Sequence, residues 1–316
     1  MKRLIFFNKP IYKIFGNSIL TDFAGNILQK KGLEFHYIKT EKRDFFSLIE
    51  NFYLPEKLAK FLDLKNRRFI SYLLITKNFI IPLSNNYIKF KKRIRNCVTT
   101  DEVKLFEETL NLKKVKNISF FDFIENNFSE NFSKILFSIL VVYKFFNLEK
   151  ISLKKGIEII KDFFSPNYFC NLNILLSDKT FISPVINKRS FVLTDCPDKY
   201  KNYEITVSYT NVKIKENFLP ELTIFYYSKP ITIYKKDNFY TFENCEHLNE
   251  FEEFYNIYMN KKVELDNLVE KKFVKSYKGL ISKNNNYLGK YSVAPYNPYD
   301  LLNSVWRFFN EKKRYE

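Results

Sequence analysis

The chain has 316 residues, more than one compact domain usually takes, so two intertwined lobes are expected. Its 46% hydrophobic and 18% aromatic content exclude a disordered chain. The net charge of +17 suits a polyanion partner, yet 43 lysines against nine arginines follow an A/T-rich codon bias that also swells Asn, Ile, Phe and Tyr, so charge alone assigns nothing.

Four cysteines at 97, 170, 196 and 245 are too far apart for a C-x-x-C motif and too few for a disulfide scaffold. A reducing compartment is expected, cytoplasmic or otherwise intracellular. The apolar run from Leu4 to Phe7 breaks at Asn8-Lys9-Pro10, too early for a signal-peptide core. No stretch approaches 18 apolar residues, so no membrane span is expected.

In chain order, Leu4 to Phe7 and Ile11 to Phe15 read as short strands, followed by a polar bend over Asn17 to Gly25. Glu41 to Leu62 reads as mostly helical, interrupted at Pro55. Ile70 to Ile75 and Phe79 to Leu83 flank a Thr76-Lys77-Asn78 turn and predict a hairpin. Thr99 with Glu102 is a capping box that opens a helix to about Leu110. Ser119 opens another. Phe132, Ile135, Leu136, Ile139, Leu140, Tyr143 and Phe146 recur at helical spacing and predict a core helix. Ser152 starts a further helix that Ser165-Pro166 stops.

The pattern then turns to strands at Phe181 to Ile186, Phe191 to Thr194, Tyr203 to Tyr209, Leu222 to Tyr227 and Ile231 to Tyr234. A last helix begins at Asn297-Pro298 and carries Leu301, Leu302, Val305, Trp306 and Phe309 on one face. The fold class expected is α/β in the mixed α+β sense.

Six glycines, at 16, 25, 32, 156, 279 and 289, fit neither G-x-x-x-x-G-K-[ST] nor G-x-G-x-x-G. Those loops pack backbone amides around phosphate, an approach that only glycine permits. Two histidines, His36 and His247, are too few for H-E-x-x-H, and Cys245-Glu246-His247 reads as an accidental turn, so no metal is expected. No G-x-S-x-G elbow occurs.

One pattern stands above this background. Gly32-Leu33-Glu34-Phe35-His36 with Thr40, then Asn66-Arg67 and Pro82-Leu83 with Asn86 and Phe90, resembles the flavin-dependent amine oxidase, phytoene desaturase and UDP-galactopyranose mutase superfamily. Ser119 to Ile124, Asn127-Phe128 and Leu148 to Ser152 look like its helical substrate domain. Tyr287-Leu288-Gly289-Lys290-Tyr291 with Ala294-Pro295 resembles the C-terminal strand, Gly-Asp turn and helix that close the flavin site. The departures fall where that family holds its cofactor. The opening glycine loop is missing, no acid follows the Ile11 to Phe15 strand in the place where that family usually binds the ribose, and Lys290 replaces the turn's Asp, whose hydrogen-bond acceptance a lysine cannot reproduce.

The resemblance implies an eroded dinucleotide-binding-like lobe, 1–40 with 270–316, interleaved with a helical and antiparallel-sheet substrate-like lobe, 41–269. It implies a cleft near His36, Gly289 and Lys290 that takes FAD, another small molecule or a protein partner. The chain is then a flavin-oxidoreductase-like protein, catalytic by hydride transfer or not catalytic at all. The rival expectation is a basic RNA- or DNA-binding subunit, with Lys91, Lys92, Arg93 and Arg95 on phosphates. A structural subunit of a larger assembly is the third.

Overall fold

The computed structural model describes residues 11–16, 18–39, 51–62, 64–65, 67–112, 118–171, 190–194, 201–214, 218–236, 239–281, 287–291 and 297–311. They fall into two units. The first takes Met1–Asn66, Tyr168–Tyr203 and Lys278–Glu316, and the second takes Arg67–Asn167 and Glu204–Tyr277.

The first unit opens with β1 (Ile11–Gly16), α1 (Ile19–Lys30) and β2 (Phe35–Lys39). β1 and β2 are parallel neighbours, with Tyr12 opposite Phe35 and Gly16 opposite Lys39. Parallel neighbours need a crossover, and α1 supplies it. The helix forms because Leu20, Phe23, Ala24, Ile27 and Leu28 fall at i, i+3, i+4, i+7 and i+8, and all five are buried. The bend expected over Asn17 to Gly25 is therefore overturned. Gly25 sits inside the helix, where an added Cβ would lie 3.3 Å from the Phe35 ring.

Next come β3 (Asn51–Pro55), the one-turn α2 (Glu56–Ala59) and a 3-10 turn over Lys60–Leu62. A strand thus replaces the helix expected over 51–55. Residues 41–50 and Leu4 to Phe7 lie outside the described residues, as does the strand expected over Phe181 to Ile186.

The second unit begins with β4 (Ser71–Ile75) and β5 (Ile80–Ser84), the expected hairpin, closed by the Thr76 amide on the Phe79 carbonyl at 2.9 Å. Five helices follow: α3 (Tyr87–Ile94), α4 (Thr100–Leu110), α5 (Phe120–Asn127), α6 (Glu130–Val142) and α7 (Leu153–Phe163). Each starts on an Asn, Thr or Ser whose side chain accepts an amide of its own first turn, at Asn86, Thr99, Ser119, Ser129 and Ser152. Such a cap is worth about 1 kcal/mol. Ile135 to Val142 of α6 are all buried, as expected of a core helix.

The chain continues through β6 (Asn167–Asn171), β7 (Ser190–Thr194), β8 (Lys201–Val212), β9 (Leu222–Tyr226), β10 (Pro230–Lys236), β11 (Phe239–Glu243), α8 (Leu248–Met259), β12 (Val269–Ile281) and α9 (Pro298–Glu311). β7 flanks β1 on its other side, also in parallel, giving the order β2-β1-β7, and β3 pairs with β6. The large sheet runs β12-β8-β11-β10-β9-β4-β5, with β4 parallel to β9. Phe251 of α8 packs edge-on against Phe242 and Phe225, at 4.9 and 5.4 Å between centroids, and anchors one core of this unit. No helix among the described residues is long and apolar enough to cross a membrane.

Candidate functional site

The turn from β1 into α1 is the first place to look for chemistry, because a helix start after a parallel strand presents free amides to an anion. Gly16 ends β1 with φ 143°, a conformation that glycine adopts and other residues avoid. Two residues on, the amide of Ser18 donates to Thr21 Oγ1 at 3.0 Å, and the same hydroxyl donates to the Ser18 carbonyl at 2.8 Å. Thr21 is fully buried. From β2, the Tyr37 hydroxyl stands 2.8 Å from Thr21 Oγ1 and 3.1 Å from Asp22 Oδ1, so its one proton serves either. One amide at the helix start is thus taken by a side chain of the helix itself, while Ser18 Oγ is buried without a partner among the described residues, and the first turn carries a carboxylate, which the helix dipole favours.

His36 lies in the middle of β2, half-buried and in register with Lys13 of β1. Gly289 and Lys290 lie in the turn 287–291 of the same unit. That turn is pinned to α9 by Ser304, which donates to the Leu288 carbonyl at 2.8 Å and accepts the Tyr291 amide at 3.0 Å. A Cβ at Gly289 would sit 2.4 Å from the Tyr287 hydroxyl oxygen, so a larger residue there would have to displace that side chain. The Lys290 ammonium lies 4.6 Å from the ring centroid of Tyr291 and 5.4 Å from that of Phe308. The three expected residues therefore stand on two separate elements of one unit, His36 on β2 and the other two in the turn 287–291.

The basic run lies on α3. Lys91 is spent on Glu107, at 2.6 Å, and Tyr87 donates to the same carboxylate oxygen at 2.8 Å. Those two hydrogen bonds hold the Glu107 carboxyl below the usual range. Lys92, Arg93 and Arg95 are exposed. Cys245 to His247 form a single 3-10 turn with Cys245 buried. Among the described residues no three His, Cys, Asp or Glu side chains gather as a metal would need.

One polar cluster escaped the sequence. Lys144, just past α6, is buried with its backbone at φ 66°, the left-handed position that usually goes to glycine after a helix. Its ammonium donates to Glu243 at the end of β11 and to the hydroxyl of Tyr234 on β10, and it lies 3.7 Å from that ring's centroid. Burial pushes the Lys144 ammonium down to about 8 against the pull of Glu243. Burial likewise pushes the Glu243 carboxyl up. A lysine's burial depends on a partner 99 residues away, and no local spacing announces it.

No protein-family model matches this chain, and no curated protein matches its sequence. Solved structures do match it along nearly its whole length. An oxidoreductase from Methanosarcina mazei aligns over 94% of this chain and 100% of its own, at 10% identity and a TM-score of 0.55. Wild-type putrescine oxidase bound to putrescine aligns over 97% and 99%, at 9% identity and 0.53. RAB GDI from Plasmodium falciparum aligns over 95% and 98%, at 13% identity and 0.52. At such identities the likeness establishes the fold: this chain is built like the amine-oxidase type of oxidoreductase and like RAB GDI.

The cofactor that this fold implies can be tested against the residues present. In β-α-β units that hold dinucleotides, one glycine makes the tight turn, a second lets the backbone approach the pyrophosphate, and a third packs the helix against the strand. Counting from Gly16, the second and third positions are Ser18 and Thr21. The first role is kept and the second is lost. Thr21 takes the Ser18 amide that a phosphate would use, and the Asp22 carboxylate would repel that phosphate. At the end of β2, where a dinucleotide fold places an acid for the ribose, the register sets Lys39 opposite Gly16. These residues do not fit FAD.

Proposed function

We propose that this chain is a non-catalytic binding protein on the flavin-oxidoreductase fold, which holds a protein or small-molecule partner without using FAD. On this reading its first unit is a degenerate nucleotide-binding half. The observation that carries the proposal is the Ser18 amide at the helix start, which the Thr21 hydroxyl accepts at 3.0 Å. A dinucleotide enters such a site by giving the helix amides a phosphate to bind, and here one of them already has its partner inside the protein. Displacing Thr21 from the Ser18 amide would cost that hydrogen bond, about 0.5–1.5 kcal/mol, while the hydroxyl kept its bond to the Ser18 carbonyl. The fold raises no objection, since one fold hosts unrelated activities, and RAB GDI, which shares it, is not named for an oxidation.

The test is direct. The purified chain should be colourless, and added FAD should keep its free fluorescence in titrations. A yellow protein, or stoichiometric uptake of FAD with quenched fluorescence, would overturn the proposal and restore the oxidoreductase reading.

A further inference from the structure

The exposed face of α3 sets cations beside a large apolar side chain. This helix buries Phe90 and Ile94 and half-buries Tyr87 and Lys91, which occupy one arc at i, i+3, i+4 and i+7. The opposite arc is a stripe of Ile88, Lys92 and Arg95 at i, i+4 and i+7, flanked by Lys89 and Arg93, and all five are exposed. Ile88 is 80% exposed. A second large apolar side chain stands beside the helix start: Phe69 is 72% exposed. Its neighbour Ile70 exchanges hydrogen bonds with Asn85, through its amide to Asn85 Oδ1 at 3.1 Å and its carbonyl from the Asn85 amide at 3.0 Å. Asn86, next in the chain, caps α3.

The local sequence around these two side chains carries charge of one sign. From residue 64 to residue 100 the sequence holds no Asp or Glu. The carboxylate that reaches α3, Glu107, is occupied by Lys91 and Tyr87 on the helix's inner side. The exposed cations are thus left to face an external anion.

We infer that this face of α3, with Phe69 beside it, docks on an anionic membrane surface. Cations next to apolar side chains are what the headgroup boundary of such a membrane accepts, with the cations on lipid phosphates and carboxylates and the apolar groups among the upper acyl carbons. A single-stranded nucleic acid would use the same cations, and it stacks its bases on aromatic or guanidinium planes. Phe69 and the guanidiniums of Arg93 and Arg95 would offer it such planes, but it would leave the aliphatic Ile88, 80% exposed at the start of the stripe, in water, whereas a membrane surface buries it. This proposal stands apart from the question of FAD.

Vesicle flotation of the full chain tests it, with phosphatidylcholine alone and with phosphatidylserine mixed in. Binding is expected to the anionic vesicles only, and to weaken as salt is raised. Each cation removed should lower the partition constant about fivefold, so Lys92→Gln with Arg95→Gln should lower it about 25-fold. Ile88→Ser should lower it roughly tenfold and leave binding to single-stranded RNA unchanged. All three positions are exposed, and an unchanged unfolding midpoint confirms that the variants fold. Equal binding to neutral and anionic vesicles, no binding to either, or an Ile88→Ser variant that binds vesicles like its parent would each overturn the inference. So would tighter binding to RNA than to vesicles, lost with Lys92 and Arg95 but indifferent to Ile88.

Discussion

Glu102 ties two helix starts together with one carboxylate. Oε2 accepts the amide and the hydroxyl of Thr99, at 2.8 and 2.9 Å, while Oε1 accepts the amide of Ser129, the cap of α6, at 2.7 Å. Burial by itself would raise this carboxyl, but the hydrogen bonds from Ser129 and Thr99 outweigh it and hold it below the usual range. A carboxyl depressed in the folded state contributes stability above its unfolded value, and that contribution is lost as pH falls through the folded one. Glu102→Gln should therefore cost about 1 kcal/mol at neutral pH, and the gap between variant and parent should close in acid, below the ordinary carboxylate range. Urea midpoints of both proteins at the two pH values measure it. A gap that stays constant would mean that the charge of Glu102 contributes nothing.

At the scale of elements, what the sequence made legible is what local bonds decide. The Thr99 capping box, the Ser119 and Ser152 starts and the hairpin at Thr76 each rest on partners two to four residues apart, and each formed where expected. The β1–α1–β2 unit was harder to see, because Asn17, Gly25 and Asn26 signal a turn while Leu20, Phe23, Ala24, Ile27 and Leu28 signal a helix. Burial against the sheet decided for the helix. That misreading also hid the site, since Ser18 and Thr21 acquire meaning once α1 is seen to follow Gly16. β11 and β12 went unread because strands depend on distant partners, as in the pairing of Tyr240 with Val212.

The contact of α5 with α7 gives a test of the packing. An added Cβ at Gly156 would fall 2.1 Å from Cδ2 of Phe120, whose ring is fully buried and sits edge-on to Phe137. Alanine gains up to about 1 kcal/mol over glycine inside a helix, yet forcing a methyl into a filled core costs about 1–3 kcal/mol. Gly156→Ala should therefore lower the denaturant midpoint, and adding Phe120→Leu should recover part of the loss. A midpoint that rises in the single variant would show that the ring can move aside.

Across the whole molecule, neither unit is a continuous stretch of chain, and that has a physical consequence for any fragment. Residues 67–167 look self-sufficient on paper, with a hairpin and five capped helices. Their core is not. β4 relies on β9, where Leu74 and Ile75 stand opposite Ile224 and Phe225, and without residues 204–277 the large sheet shrinks to the hairpin β4–β5. A two-stranded hairpin is marginal alone. α6 packs against β9 and β10 as well as against its neighbouring helices, so the missing strands would leave part of the buried run from Ile135 to Val142 facing water. Each large apolar side chain so exposed forfeits about 1.5–3 kcal/mol, against a total stability of only about 5–15 kcal/mol for a typical domain. A fragment of residues 67–167 is therefore expected to keep helical circular dichroism, to bind an apolar dye, and to melt without a sharp transition. A cooperative thermal transition in that fragment would show instead that the helices carry their own core and that the strands from 204–277 are added to a finished fold.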